Sequence, residues 1–202
     1  MTPDAGFREA VRRLHRAKDA AYRDAWKRRG EVISILANIA RKVDRLDYGL
    51  DRAPATPDEP CADTAVDLLV YCLKYQAYLA DQHPETAARL FGGSGVRPPY
   101  SDGPAGFEAL LSRADLTPVA NPGQPAGGAA RLVVSRFAEL EACFDQAGST
   151  QPVPARLARL QALTDAAVGL VGALGREQAQ AYARLTSACL AMGEGGCAAD
   201  AR

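Results

Sequence analysis

Apolar residues recur at intervals of three and four positions along most of this 202-residue chain. That spacing places them on one face of an α-helix, whereas no long stretch shows the strict alternation of a β-strand. The pattern predicts helices over residues 7–29, 31–48, 63–82, 129–146, 154–174 and 176–192, with shorter pieces over 84–90 and within 91–128. The expected fold is therefore all-α: a helical bundle of about five to seven helices with a C-terminal helical extension.

Proline and glycine divide the predicted helices into groups. Residues 50–60 carry three prolines and are typical of a loop. Residues 91–128 are rich in both glycine and proline, which indicates a linker or a long ordered loop. We therefore predict a helical core over residues 1–90 and a C-terminal helical hairpin or bundle over 129–202 that packs on this core.

Composition narrows the function classes. The chain has 24 Lys plus Arg and 24 Asp plus Glu, so its formal net charge is zero and general nucleic-acid binding gains no support. The five cysteines form no CxxC pair, which favours free thiols in a reducing cytoplasm. The polar N-terminus is unlike a signal peptide, and we see no apolar run of about 18 residues that would span a membrane. The expected location is cytoplasmic.

The second predicted helix carries two distinct faces when it is drawn with α-helical geometry. Its apolar seam consists of Val32, Leu36, Ile39, Val43 and Leu46. Its polar face consists of Glu31, Ser34, Asn38, Lys42 and Arg45. An acid at a helix start suits a cation, and two bases one turn apart suit a phosphate. The alternative interpretation is a solvated face of mixed charge.

The third predicted helix places two carboxylates one turn apart, at Asp63 and Asp67, with Lys74 further along the same face. Adjacent carboxylates repel unless a divalent cation, an arginine or solvent compensates them. Asp63 alone is also interpretable as a helix N-cap. If the second and third helices pack antiparallel, they form a site with a metal at one end and phosphate-binding bases at the other. Such a site would direct a metal-bound water at a phosphoryl group.

Two segments in the first half resemble the nucleotide modification associated domain of phages and bacteria. They are AYRDAWKRRGEVISILANIARKVDRL and, after a loop, DTAVDLLVYCLKY. That family shows a Tyr-x-Asp-x-Trp/Phe element, a helix similar to NIARKxDRL and a helix similar to DTLLDLANY. The resemblance covers roughly residues 17–82. The matching positions are Tyr22, Asp24, Trp26, Asn38, Lys42, Asp44, Arg45, Asp63 and Asp67.

The resemblance implies a relation to the all-α nucleoside triphosphate pyrophosphohydrolases, the MazG and dimeric dUTPase group. These enzymes bind Mg²⁺ through acidic residues of two helices, release pyrophosphate and are commonly oligomeric. Carried over, it implies a MazG-like core, a homodimer and a metal and catalytic set of Glu31, Asp63 and Asp67. The implied substrate-binding residues are Tyr22, Trp26, Asn38, Lys42 and Arg45, and the face that Asp63 and Asp67 share adds Lys74 as a further substrate-binding candidate.

Two positions depart from that pattern and leave two functions open. Ser34 stands where the superfamily has the second glutamate of a Glu-x-x-Glu pair, and Ala62 stands where an acid often precedes Asp-Thr. The first hypothesis is a Mg²⁺-dependent pyrophosphohydrolase acting on a canonical or modified (d)NTP. The second is a non-catalytic nucleotide-sensing or protein-interaction module with a degenerate metal site. His15 and His83 are isolated in the sequence and are expected to have no special role.

Overall fold

The computed structural model describes residues 3–51, 61–144 and 150–192. Most of the predicted loop over residues 50–60 lies outside this part of the chain, and so does Cys197. Among the described residues the chain forms nine α-helices and no β-strand, which confirms the all-α class. The helices are α1 (Pro3–Tyr22), α2 (Ala37–Asp51), α3 (Cys61–Gln82), α4 (Pro84–Phe91), α5 (Ala105–Arg113), α6 (Thr117–Ala120), α7 (Ala126–Glu141), α8 (Val153–Glu177) and α9 (Ala179–Ala191).

The connection from α1 to α2 differs from the prediction. The first helix ends at Tyr22 rather than near residue 29, and a 3₁₀ turn follows over Arg23–Trp26. Gly30 then takes a φ of +83°, a backbone conformation that glycine adopts more readily than residues with a side chain. From there a π-helical segment, Glu31–Leu36, leads directly into α2. This wider turn changes which side chains of the segment point inward.

The π-helical segment explains an error in the predicted apolar seam. Its i→i+5 hydrogen bonding advances each residue by a smaller angle than an α-helix does. Val32 is therefore 56% exposed, whereas Ile35, which the α-helical wheel left out, is fully buried. From Leu36 onward the α-helical prediction holds, because Ile39, Val43 and Leu46 are buried as expected.

Helices α3 and α8 form the centre of the bundle. Helix α3 packs against α8 and α2, α8 packs against α7, and α1 packs against α9. Both central helices are apolar over most of their surface, as expected for helices surrounded by others. Gly172 lets α6 approach α8 closely, since a β-carbon there would lie 1.9 Å from the carbonyl oxygen of Pro118.

Helix α8 is also long and apolar enough to cross a membrane, which the sequence analysis did not expect. Within the described part of the chain it is the single helix with this property, and 67% of its apolar window is buried inside the bundle. Central helices of helical bundles share this composition, so its apolarity is explained by the packing seen here.

The hydrophobic core is continuous across the predicted division of the chain. The stretch 91–128 contains helices α5 and α6, and its Phe107, Leu111 and Leu116 are buried in the same core as residues of α3 and α8. Core side chains thus come from all three predicted parts. The boundaries near residues 90 and 128 do not separate independent cores.

Candidate functional site

A cavity of about 410 Å³ lies between α1, the 3₁₀ turn, α2 and α3. Its volume falls within the range of small-molecule sites. Each of the three helices contributes residues spaced three or four apart, which places them on one face. The lining residues are His15, Lys18, Tyr22, Ala25, Trp26, Asn38, Arg41, Lys42, Asp67, Val70, Tyr71 and Lys74.

The structure brings six of the nine predicted site residues to this cavity. They are Tyr22, Trp26, Asn38, Lys42, Asp67 and Lys74. The other three lie elsewhere. Asp63 lines a neighbouring cavity between α1, α3 and α9, Arg45 is exposed outside the lining, and Glu31 is bonded to Tyr75 outside the lining.

An ion-pair cluster at one side of the cavity joins three helices. The Lys42 ammonium donates to Asp67 Oδ2 at 2.8 Å, and the Lys18 ammonium donates to Asp67 Oδ1. The Lys42 side chain is 8% exposed and that of Asp67 is 16% exposed, whereas the Lys18 side chain is 42% exposed. Lys18, Asp67 and Lys42 are called the Asp67 cluster below.

The Asp67 cluster holds two ammonium groups and one carboxylate. Burial alone would raise the pKa of Asp67, but the hydrogen bonds from Lys18 and Lys42 outweigh it and hold that pKa below its ordinary value. Asp67 is therefore ionised at neutral pH and offsets one of the two positive charges. The Arg41 guanidinium and the Lys74 ammonium also line the cavity, so its wall is positive although the whole chain is neutral.

Lys74 lies over an aromatic ring at the other side of the cavity. Its Nζ is 4.6 Å from the Trp26 ring centroid, within cation–π range, and 3.9 Å from Asp19 Oδ1. Burial lowers the pKa of Lys74 to about 8, with Asp19 partly opposing that shift and Lys27 and Lys18 adding to it. A buried lysine with so low a pKa is typical of functional sites, although structural networks produce it too.

Asn38 is positioned by the turn at which the π-helical segment becomes α2. Its Nδ2 donates to the Ser34 carbonyl oxygen at 2.7 Å, and its Oδ1 accepts from Arg41 Nη2 at 2.7 Å. The Ser34 hydroxyl accepts from the Arg29 backbone N–H at 3.0 Å and so secures the preceding turn. The amide of Asn38 is thus held at the cavity wall by its own helix.

His15, which was expected from the sequence to have no special role, also lines the cavity. It is 1% exposed and stacks on Phe107 with ring centroids 3.8 Å apart. Burial, with the charges of Lys74 and Arg16, lowers its pKa to about 3, so the ring is neutral at physiological pH. Its Nδ1 has no hydrogen-bond partner among the described residues, and such a buried polar atom normally has one. The other histidine, His83, caps α4.

Glu31 belongs to a separate cluster, which corrects its predicted role. Its Oε1 accepts hydrogen bonds from the Tyr75 hydroxyl and from Arg156 Nη1 of α8. Burial and the adjacent Glu31 carboxylate raise the pKa of Tyr75, so the phenol stays protonated. Glu31, Tyr75 and Arg156 are called the Glu31 cluster below. The π-helical segment turns Glu31 towards Tyr75, eight residues beyond Asp67 on α3.

The three predicted metal ligands therefore do not converge. Glu31 is paired with an arginine and Asp67 with two lysines; Asp63 and Asp67 both line the neighbouring cavity between α1, α3 and α9, which Glu31 does not line. Nowhere in residues 3–51, 61–144 and 150–192 do three or more His, Cys, Asp or Glu side chains form a group able to hold a metal. The residues present do not fit a three-carboxylate Mg²⁺ site, so the role of Mg²⁺ stays a prediction of the resemblance.

Six of the twelve cavity residues were not predicted, and the three with basic side chains are His15, Lys18 and Arg41. Lys18 did leave a signal, because it continues the apolar stripe of α1 that runs through Val11 and Leu14. A lysine in an apolar stripe needs a partner for its charge once the stripe is buried. His15 and Arg41 left no comparable signal, since their neighbours in the cavity come from other helices.

Comparison with known proteins does not assign a family or a function to this chain. No family model, no curated protein and no solved structure matches this chain.

Proposed function

We propose that this protein binds a nucleotide in the cavity between α1, α2 and α3, and that it acts as a nucleotide-sensing module. The single observation that carries the proposal is the excess of positive charge in a partly buried cavity. Four cationic side chains and one carboxylate line it, and two positive charges remain once Asp19, 3.9 Å from the Lys74 ammonium, is also counted. Buried charge is costly unless it is compensated, so this wall favours an anionic ligand.

The phosphates of the ligand would lie near the Asp67 cluster. Ammonium groups bind phosphate as point charges, and a guanidinium adds a two-pronged contact. Lys42 is nearly buried and held in one position by Asp67, while Lys18 and Arg41 reach the cavity from its more open side. The surrounding protein weakens the screening of these charges, which strengthens their attraction for a phosphate.

The base of the ligand would lie at the aromatic side. Tyr22 is 68% exposed at the cavity edge, and Tyr71 and Trp26 line the wall. Aromatic side chains stack on any base, because every base has a π-face. The Asn38 amide and the neutral His15 ring supply hydrogen-bonding groups close by. Aromatic, amide and cationic groups together match a nucleotide better than inorganic phosphate alone.

Pyrophosphate release is not part of this proposal. Glu31, one of the three carboxylates predicted to hold Mg²⁺, is bonded to Tyr75 and Arg156 away from the other two, and both oxygens of Asp67 accept from lysines. We therefore derive no hydrolytic step, and the pyrophosphohydrolase hypothesis stays a prediction from sequence. The predicted homodimer and cytoplasmic location also stay predictions.

The proposal is tested by calorimetric titration of the purified protein with dATP, dGTP, dCTP, dTTP and the four NTPs, first in EDTA and then in Mg²⁺. We expect at least one nucleotide to bind in EDTA. The discriminating variant is Lys42→Gln, for which we expect a loss of roughly thirtyfold or more, as for a buried charged contact. Arg45→Gln is the matched control, since Arg45 lies one turn further along α2 outside the cavity lining.

Three results would count against the proposal. They are the absence of binding by any nucleotide, equal losses in Lys42→Gln and Arg45→Gln, and binding that requires Mg²⁺. A parallel assay for released pyrophosphate in Mg²⁺ tests the hydrolase hypothesis. Sustained turnover would replace the sensing role with an enzymatic one.

A further inference from the structure

Asp67 is the one carboxylate among the described residues that line the cavity, and its position is unfavourable for an anionic ligand. Each of its oxygens accepts a hydrogen bond from a different lysine. Both lysines are groups that a ligand phosphate would contact. A second anion beside Asp67 is repelled by it, as two carboxylates sharing one site repel each other.

The two lysines differ in how easily they can leave Asp67. The Lys42 side chain is 8% exposed and approaches from α2, which packs directly on α3. The Lys18 side chain is 42% exposed, and it borders both this cavity and the neighbouring one that contains Asp63. Water can hydrate the more exposed Lys18 ammonium as it moves away from Asp67, so this move costs less than the same move by Lys42.

We propose that Asp67 is an internal competitor for the ligand phosphate: it holds Lys18 and Lys42 in place in the free protein and opposes anion binding at their ammonium groups. This inference rests on the proposed nucleotide site. When the ligand binds, the Lys18 ammonium moves from Asp67 to the phosphate, while the Lys42 ammonium stays between the carboxylate and the phosphate. No covalent step is involved.

This arrangement also selects among ligands by charge. The Asp67 cluster has two ammonium groups and one carboxylate, so its net charge is positive and a polyphosphate gains more from it than a monophosphate does. The ligand class is therefore a nucleoside polyphosphate, and Asp67, which repels the more highly charged ligand more strongly, limits that preference. If Asp67 competes with the ligand, removing its charge strengthens nucleotide binding. If Asp67 were a metal ligand, the same change would weaken binding.

The test compares wild type with Asp67→Asn, which removes the charge and keeps the shape. Affinities for dATP and dAMP are measured by calorimetry in EDTA and again in Mg²⁺. We expect Asp67→Asn to bind both nucleotides in EDTA roughly tenfold more tightly, with the larger relative gain for dATP. Asp44→Asn is the matched control, because it makes the same change at an exposed position of α2 outside the cavity. We expect its affinities to equal those of wild type.

Equal or weaker binding by Asp67→Asn overturns this inference and leaves the proposed function intact, provided that wild type binds. Weaker binding that appears only with Mg²⁺ would assign Asp67 to a metal site instead. A wild type that binds none of the eight nucleoside triphosphates overturns both proposals. Should Asp67→Asn fail to fold with two lysines unpaired, the comparison moves to Lys18→Gln against Lys18→Gln/Asp67→Asn. In that background the double variant must bind dATP more tightly for the inference to hold.

Discussion

The Asp67 cluster and the Glu31 cluster both cross between helices, yet they differ in charge balance and in surroundings. In the Glu31 cluster one carboxylate meets one guanidinium and one phenol, and all three side chains are buried or nearly so. In the Asp67 cluster one carboxylate meets two ammonium groups beside a cavity. The first is balanced and closed, whereas the second retains a positive charge and faces open space.

The difference separates a structural role from a binding role. The Glu31 cluster ties the π-helical segment to α8 and has no charge left for a ligand. The Asp67 cluster also ties helices together, but its excess charge is compensated fully only when an anion enters the cavity. Both clusters contain a residue predicted to bind metal, so that prediction does not distinguish them. They differ in the net charge that remains after the charged side chains have paired.

The largest expected effect comes from breaking the balanced cluster. Arg156→Met leaves the Glu31 carboxylate buried beside a phenol, and removing one partner of a buried pair costs about 3–5 kcal/mol. We expect the free energy of unfolding, measured by urea denaturation, to fall by about that amount. The double variant Glu31→Gln/Arg156→Met should recover most of it, because no charge is left unpaired.

Arg159→Met is the matched control for that measurement. Arg159 lies on the same helix, and its side chain is 55% exposed and pairs with Glu139 at 3.3 Å. Exposed pairs contribute about 0–1 kcal/mol, so we expect a loss of less than about 1 kcal/mol. Similar losses for both arginines would contradict the closed and structural role of the Glu31 cluster.

A second prediction concerns the aromatic side of the open cavity. Tyr22→Ser removes an exposed ring at its edge, and base–aromatic stacking contributes about 1–3 kcal/mol. We expect nucleotide affinity to fall by roughly five- to tenfold or more, with stability almost unchanged. Tyr48→Ser is the control, since Tyr48 is similarly exposed on α2 but outside the cavity lining. Calorimetry with inorganic triphosphate should show no difference between wild type and Tyr22→Ser.

A third prediction uses the titration of His15 beside the cavity. The folded protein protonates His15 only near pH 3, whereas the ordinary value is 6.5, so the unfolded chain binds more protons between these values. Stability is therefore lost as pH falls through this window, with a slope of about 1.4 kcal/mol per pH unit for one proton. His15→Phe keeps a ring against Phe107 and should reduce that slope between pH 6.5 and 4. An unchanged slope in urea denaturation would show that other groups dominate.

The smallest expected effect is a pH dependence of binding from Lys74. Its pKa is about 8, and an anion in the cavity favours the charged ammonium. As pH rises from 7 to 9, nucleotide affinity should therefore fall by about three- to tenfold, while the ligand phosphates stay ionised. Lys74→Arg keeps the charge throughout this range and should flatten the profile. Affinity is measured by calorimetry over this pH range. The same profile for wild type and Lys74→Arg would show that Lys74 does not contribute to nucleotide binding.

Much of the fold was predictable from the period of the apolar residues. The limits of α3, α4, α8 and α9 fall within three residues of those predicted, whereas α7 begins three residues earlier and ends five residues earlier than predicted. Each of these helices buries a continuous stripe. The π-helical segment was not predictable from that pattern. Its wider turn moved Val32 outward and Glu31 away from the other carboxylates.

The candidate site was predictable in its residue types more than in its chemistry. Asn38, Lys42, Asp67 and Lys74 follow helical spacing, and the packing of α2 on α3 brings them to one cavity. The role expected of each residue changed once its contacts in the folded protein were known. Asp67 was predicted to hold a metal, yet Lys18 from a helix about fifty positions earlier meets it there.

The sequence by itself determined the helices, the apolar core and the polar face of α2 that reaches α3, because these depend on local periodicity. Only the tertiary structure decided which charges compensate each other. Pairing in space brings Arg156 to Glu31 across 125 positions and Lys18 to Asp67 across 49. The chemistry of each side chain is fixed by its residue type. The charge balance around it depends on which other charged groups lie nearby in space, and the spacing of residues along one helix does not specify those neighbours.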